Sequence, residues 1–230
     1  MSGRLKTTHL ITGAGSGIGT VLAQRLADRG DSLLLVARSA ARGAELTERF
    51  EGATALVADL ADPGSLADLE LPDSLDSVVH AAGVVDLGAV ADLSAGAWRE
   101  QIDVNLLAPA ELTRLALPGL RAARGTVVFV NSGSGLHVNP TWAAYGASKF
   151  GLRALADALR QEEQDNGVRV SSIYPGRVAT PMQERVHLQE GRPYDEDRWI
   201  RPETVADTIL HVLDLPRDAT IADLRISPTP

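Results

Sequence analysis

The sequence predicts an α/β protein: one domain over residues 1–230, built on a doubly wound parallel sheet of about seven strands with helices on both faces. Three observations carry that reading. Apolar runs of five to seven residues alternate with longer helical patterns along the whole chain. Most runs are apolar at consecutive positions, as strands must be when both faces of a sheet are covered. A glycine-rich turn separates the first apolar run from the first helical pattern.

The expected strands are 8–12 (THLIT), 32–37 (SLLLVA), 54–58 (TALVA), 77–82 (SVVHAA), 126–131 (TVVFVN), 168–174 (VRVSSIY) and, with a weaker pattern, 219–226. Helical patterns lie at about 18–29, 40–50, 95–123, 143–165 and 203–214. In the 143–165 stretch Leu152, Leu155, Ala156 and Leu159 form one apolar stripe, and Asn166-Gly167 supplies the stop. Residues 182–202 are polar, contain Pro and Gly, and show no period; they read either as a solvated loop or as a substrate lid.

Composition narrows the function classes. Hydrophobic residues make up 44% and charged residues 23%, which excludes a disordered chain. The net charge of −8 with no basic run argues against nucleic acid or an anionic membrane as partner, so an anionic ligand has to be held by a few aimed groups. Zero cysteines exclude disulfides, thiolate metal sites and a cysteine nucleophile, and no metal site is expected. The amino terminus lacks the apolar core of a signal peptide and no segment has about 18 uninterrupted apolar residues, so the expected compartment is the cytoplasm.

The turn "TGAGSGIG" (12–19) leaves the first strand and opens the first helix, which predicts a Rossmann-like dinucleotide site. Gly13 permits the tight turn; Gly17 and Gly19 allow close approach of phosphate and helix–strand packing; Gly15, Ser16 and Ile18 complete the loop. The helix that follows offers free N–H groups and a positive dipole end to a pyrophosphate. Further on, Tyr145 stands four residues before Lys149 where a helix begins. Residues at that spacing share a helix face, and an ammonium beside a phenol lowers its pKa from about 10. The spacing alone does not separate chemistry from an ordinary half-buried pair.

Taken together, "TGAGSGIG", the Asp of "VADL" (57–60), "HAAG" (80–83), the Asn of "VNLLAP" (104–109), "VNSGSG" (130–135), "YGASK" (145–149) and "YPGRVATPM" (174–182) resemble the short-chain dehydrogenase/reductase family, in its order, from about residue 8 to 182. The resemblance implies that Asp59 with Leu60 contacts the adenine and that Ala82 and Gly83 close over the adenosine ribose. It implies that Pro175, Gly176, the backbone at Val178 and the Thr180 hydroxyl hold the nicotinamide carboxamide. One departure is visible, His80-Ala81 where the family usually has Asn-Asn, and His80 is expected to be a core histidine.

The same resemblance gives the Tyr145–Lys149 pair a role. The tyrosine exchanges a proton while hydride passes to or from the nicotinamide. Lys149 bonds the nicotinamide ribose and lowers the tyrosine pKa; bringing it to about 7 requires roughly 4 kcal/mol. A hydroxyl must also hold the substrate oxygen. The family places its serine most often thirteen residues before the tyrosine, at Ser132; Ser134 is the alternative or shapes the turn. Asn105 matches the fourth catalytic member, which holds a water linking Lys149 to solvent. Leu136, His137, Trp142, Met182 and residues 183–199 are expected to line or cover a partly apolar substrate pocket. Family members pair the 95–123 and 143–165 helices across a two-fold axis, so a homodimer or homotetramer is expected.

Cofactor choice turns on "LLLVARSAAR" (33–42). An NAD site usually ends its second strand in an acidic residue that bonds the adenosine ribose and repels the phosphate of NADP. Here Ala37 is followed by Arg38 and Ser39, so the repulsive group is missing and a guanidinium stands beside the gap. Arg42 lies one turn into the next helix, with its direction open. The glycine-rich turn has Ser16 where many NADP-preferring relatives carry Lys or Arg. NADP(H) is the expected cofactor. A catalytically silent dinucleotide-binding regulator is the competing reading, and the intact set Asn105, Ser132, Tyr145 and Lys149 argues against it. Too few residues follow 182 for an extended nucleotide-sugar epimerase.

Overall fold

The computed structural model describes residues 6–229; residues 1–5 and 230 of the expected domain lie outside the described residues. One sheet contains all seven expected strands: β1 (Thr8–Thr12), β2 (Ser32–Ala37), β3 (Thr54–Val57), β4 (Ser77–His80), β5 (Thr126–Val130), β6 (Arg169–Pro175) and β7 (Asp223–Ile226). Every pairing is parallel, in the order β3-β2-β1-β4-β5-β6-β7. The order reverses between β1 and β4. A crevice therefore opens outside the carboxyl ends of these strands, where open α/β sheets bind ligands.

The double layer follows from side-chain alternation along each strand. Leu10, Val78 and Val127 enter one core with Leu112, Ala116 and Leu120 of α4 (Ala108–Ala123) and Leu152, Ala156 and Leu159 of α5 (Ala143–Glu162). Their neighbours Ile11, Val79 and Val128 enter the other, with Leu22 and Leu26 of α1 (Gly17–Asp28), Leu46 of α2 (Ala40–Arg49) and Ile209 of α7 (Pro202–Leu213). Each fully buried Leu or Ile on these faces contributes about 1.5–3 kcal/mol. The apolar stripe of α5 thus faces the sheet, with Leu155 only partly covered. The outer surface nearby carries Leu107 and Phe150, both exposed. Helix α5 ends earlier than the expected Asn-Gly stop, at Glu162 with Glu163 as its cap, and Gly167 takes φ +72 in the turn that follows before β6.

Three expectations are corrected. The single helix over 95–123 is divided into α3 (Ala95–Ile102), a π-helical segment (Asp103–Leu107) and α4. Pro109, which has no N–H to bond the Asn105 carbonyl, follows the wider turn directly, whereas Pro118 lies inside α4 without a break. The unpatterned segment 182–202 is not a loop throughout. It contains α6 (Pro181–Gln189), capped by Thr180, whose hydroxyl accepts from the Gln183 N–H at 3.3 Å, with Pro181 in the first turn. A 3-10 turn follows at Glu196–Arg198. Strand β7 is shorter than expected, beginning at Asp223. Among the described residues, no helix is long and apolar enough to cross a membrane.

Candidate active site

The glycine-rich turn is shaped by contact rather than composition. Gly13 has φ +76, and a Cβ there would stand 2.6 Å from the Ala82 nitrogen. The loop after β4 can approach only because that side chain is missing, and the Thr12 hydroxyl then accepts the Ala82 N–H at 3.1 Å. Gly19 backs onto the Gly13 carbonyl, so α1 packs directly under the turn. Ser16 precedes α1 in extended conformation and its side chain caps nothing. The first N–H groups of α1 are left to point outward, as an anion site needs.

A cavity of about 1150 Å³ runs from this turn to Tyr145. On the adenosine side it is bordered by Gly13, Gly15, Ser16, Gly17 and Ile18, by Arg38 and Ser39 at the end of β2, and by Asp59 and Leu60 after β3. Ala82 and Gly83 after β4 and Pro175, Gly176, Val178 and Thr180 after β6 complete its walls, with Ser132, Tyr145 and Lys149 at the reacting end. Gly19 and Asn105 stand behind the wall. The long, glycine-floored shape, which a Cβ at Gly13 would obstruct, fits a dinucleotide with room left for a substrate. Arg42 turns toward the glycine-rich turn: its Nη2 donates to the Gly15 carbonyl at 2.9 Å, while Nη1 pairs with Glu45.

At the reacting end, α5 delivers Tyr145 and Lys149, both buried. Ser132 leaves β5, its Oγ accepting from the Ser134 N–H at 3.1 Å; the Ser134 hydroxyl is not part of that bond. Asn105, fully buried at the π segment, is bound on three sides. Its Oδ1 accepts from the Val84 N–H at 2.9 Å, and its Nδ2 donates to the Val84 carbonyl at 2.9 Å and to Ser148 Oγ at 3.0 Å. Ser148 in turn donates to the Tyr145 carbonyl at 2.7 Å. The loop after β4, the π segment and α5 are tied together at this one amide.

The electrostatics correct one expectation. Tyr145 is held above its ordinary pKa, because burial disfavours the phenolate more than the Ser132 hydroxyl favours it. The Lys149 ammonium is 5.7 Å from the tyrosine ring centroid and donates to the Val130 carbonyl at 3.1 Å. Lys149 is itself pushed down to about 8 by burial. Proximity at i, i+4 is therefore insufficient to lower the phenol in the protein alone. His80 is the core histidine expected: it stacks on Phe129 at 5.0 Å, its Nε2 meets Thr113 Oγ1 at 2.9 Å, and burial pushes it down to about 3, so it is neutral.

Sequence reasoning missed Asn131. Its Oδ1 accepts the Ser132 N–H at 2.8 Å and its Nδ2 donates to the Lys149 carbonyl at 3.2 Å, which fixes β5 to α5 beside the reacting groups. The Asn before "SGSG" was the available signal. Of the expected substrate wall, His137, Trp142, Met182, Gln183 and Val186 border the cavity, whereas Leu136 does not; Arg177 also borders it.

Comparison with known proteins agrees with this geometry. The family model described as short chain dehydrogenase matches residues 7–191. An uncharacterised oxidoreductase of Staphylococcus epidermidis is 30% identical over 226 residues, covering 95% of this chain and 96% of its own. A short-chain dehydrogenase/reductase family oxidoreductase from Burkholderia thailandensis superposes with TM-score 0.85 at 31% identity, covering 97% of this chain and 92% of its own. An alcohol dehydrogenase from Thermococcus sibiricus, solved with 5-hydroxy-NADP, gives TM-score 0.82 at 27% identity, covering 96% of both chains. With the motifs, the sheet order and the site geometry in agreement, the chain belongs to the short-chain dehydrogenase/reductase family of oxidoreductases.

Proposed function

We propose that the protein is an NADP(H)-dependent oxidoreductase that interconverts a carbonyl and a secondary alcohol, with Tyr145 as general acid/base. The observation that carries this reading is the convergence of Ser132, Tyr145 and Lys149 on one cavity that begins at the glycine-rich turn. When bound, the cofactor supplies or accepts the hydride. The turn and the α1 N-terminus would hold its pyrophosphate, Asp59 and Gly83 its adenosine, and Val178 with Thr180 its carboxamide. Ser132 holds the substrate oxygen and stabilises charge developing there. Tyr145 gives or takes the proton at that oxygen, kept neutral beforehand by its burial. Lys149 stabilises the phenolate once it forms, and Asn105 keeps the helix bearing both residues in register with the loop after β4.

The preference for NADP(H) is supported by the buried Ala37 at the end of β2 and by Arg38 beside it; Arg42 also reaches the glycine-rich turn, with its charge shared by Glu45, which borders the same cavity. We expect kcat/KM to favour NADPH over NADH by at least tenfold, about 1.4 kcal/mol. Replacing Ala37 with Asp and Arg38 with a neutral residue should invert the ratio. Equal use of both cofactors by the wild type would remove the NADP assignment. Cofactor binding without turnover of any carbonyl in a broad panel would instead favour a regulator. We also propose a homodimer or homotetramer, supported by the exposed Leu107 and Phe150 beside α4 and α5.

A further inference from the structure

The substrate end of the cavity contains a guanidinium whose charge is already paired. Arg177 follows the Pro175-Gly176 turn, and its guanidinium donates to both carboxylate oxygens of Glu190, Nη1 at 2.9 Å and Nη2 at 2.6 Å. Its Cζ lies 5.9 Å from the Trp142 ring centroid and 5.4 Å from that of Trp199. The pair is largely withdrawn from water, with side-chain exposures of 27% and 13%. Glu190 stays ionised well below the usual carboxylate range, because Arg177 is bonded to it and Arg192 and His187 add positive field. Trp142 meets the Tyr145 ring edge-on at 5.7 Å, so one tryptophan links the catalytic phenol to this neutral pair.

The surrounding wall is uncharged on the lid side, where Met182, Gln183 and Val186 of α6 border the cavity, and apolar at Val84 and Val85 opposite. Of the other charged or titratable groups that border the cavity away from the glycine-rich turn, Glu100 repels anions, Lys149 is buried and already donates to the Val130 carbonyl, and His137 and Arg225 are exposed; an exposed charge contributes about 0–1 kcal/mol to an ion pair. A substrate carboxylate entering beside Trp142 would lose its hydration without gaining a free partner.

We propose that the Arg177–Glu190 pair, held between Trp142 and Trp199, determines the substrate class: uncharged carbonyl compounds with an apolar or aromatic substituent against Trp142, with carboxylate-bearing carbonyls excluded. This rests on the oxidoreductase reading of the site. Glu190 is the element that can be removed without touching the reacting groups. Glu190→Gln removes the pairing charge while the amide keeps the space filled, so the guanidinium charge is left uncompensated beside the cavity, and Arg is suited to attract and bind a carboxylate.

The test uses matched keto acids and their ethyl esters, benzoylformate and ethyl benzoylformate among them, reduced with NADPH. The wild type should favour the ester by at least a hundredfold in kcat/KM. Glu190→Gln should raise kcat/KM for the acid relative to the ester by at least tenfold. It should also allow benzoylformate to quench tryptophan fluorescence, a binding readout independent of turnover. The double variant R177M/E190M, neutral at both positions, should keep the ester preference; a gain of acid activity there would mean a loosened wall, not a freed cation, and would overturn the proposal. So would a wild type that reduces acid and ester equally, or a Glu190→Gln variant with no gain. Failure of the wild type to turn over any member of a broad ketone panel would remove the oxidoreductase reading and this one with it.

Discussion

Tyr145 and Lys149 are both almost completely withdrawn from water, and burial moves their pKa values in opposite directions, the phenol up and the amine down to about 8. Burial therefore favours the neutral form of both groups in the protein alone. Tyr145→Phe should abolish turnover while leaving cofactor affinity within a few-fold, since it removes the transferable proton and little packing; retention of a tenth of the wild-type kcat would be incompatible with the assignment. Lys149→Ala should impair turnover and cofactor binding together. The chain has two lysines, Lys6 and Lys149, so ¹³C-methylation resolves them readily by NMR. In the cofactor-free protein Lys149 should titrate near pH 8, against a reference of about 10.4. Its folded value lies below the unfolded one, so the unfolded chain binds more protons between these values. Its contribution to stability is therefore fully present above about pH 10.4 and lost as pH falls through 8. A Lys149 signal titrating with the reference value would contradict the burial argument.

At the scale of elements, the π segment has one structural consequence that can be measured. It places the Asn105 amide between the loop after β4 and α5, with three hydrogen bonds to Val84 and Ser148. Asn105→Ala leaves the Val84 N–H and C=O without this partner, at a cost of about 2 kcal/mol, which lowers Tm by roughly 4–8 °C for a domain of this size. Thermal unfolding within 1 °C of wild type would show that the amide is not the tie. The segment from Thr180 to Ile200 is an excursion closed at its base, where Val178 bridges to Ile200 and the Ile200 N–H donates to the Arg177 carbonyl at 3.1 Å. Across the cavity, Gln189 Nε2 donates to Asp86 at 2.6 Å and Gln189 Oε1 accepts the Leu87 N–H at 3.2 Å. Both contacts are exposed, so Gln189→Ala should raise KM for the carbonyl several-fold with little change in Tm.

For the whole molecule, the sheet separates two cores and leaves function to its carboxyl edge. A ligand that binds only the folded state stabilises it by about 2.7 kcal/mol at 100 times its Kd. NADPH at that level should accordingly raise Tm by roughly 5–10 °C, and by more than NADH at equal concentration. Identical shifts at equal concentration would weigh against the role given to Arg38. The proposed assembly would use the outer surface around Leu107 and Phe150, both exposed. Light scattering at micromolar concentration should return a dimer or tetramer, and Phe150→Glu should shift it toward monomer; a wild-type monomer would reject the assembly.

The strands were legible because each is a short apolar run, and the dinucleotide turn because glycine is required where chain meets chain, as Gly13 meets Ala82. That Ser132, Tyr145 and Lys149 border one cavity was legible through their spacing and the motifs around them. Helix α6 was hidden because its residues show no apolar stripe; its start depends on Thr180 and Pro181, a local cap rather than a period. The division of the 95–123 helix was hidden, since Pro118 interrupts nothing while the turn beside Pro109 is wide, and the bonds of Asn105 depend on Val84 and Ser148, which are distant in sequence. The direction of Arg42, the pairing of Arg177 with Glu190 and the upward shift of Tyr145 were decided by tertiary structure alone. Local sequence fixes which groups are present and how neighbours are spaced; burial and long-range partners fix where a charged side chain points and what its proton costs.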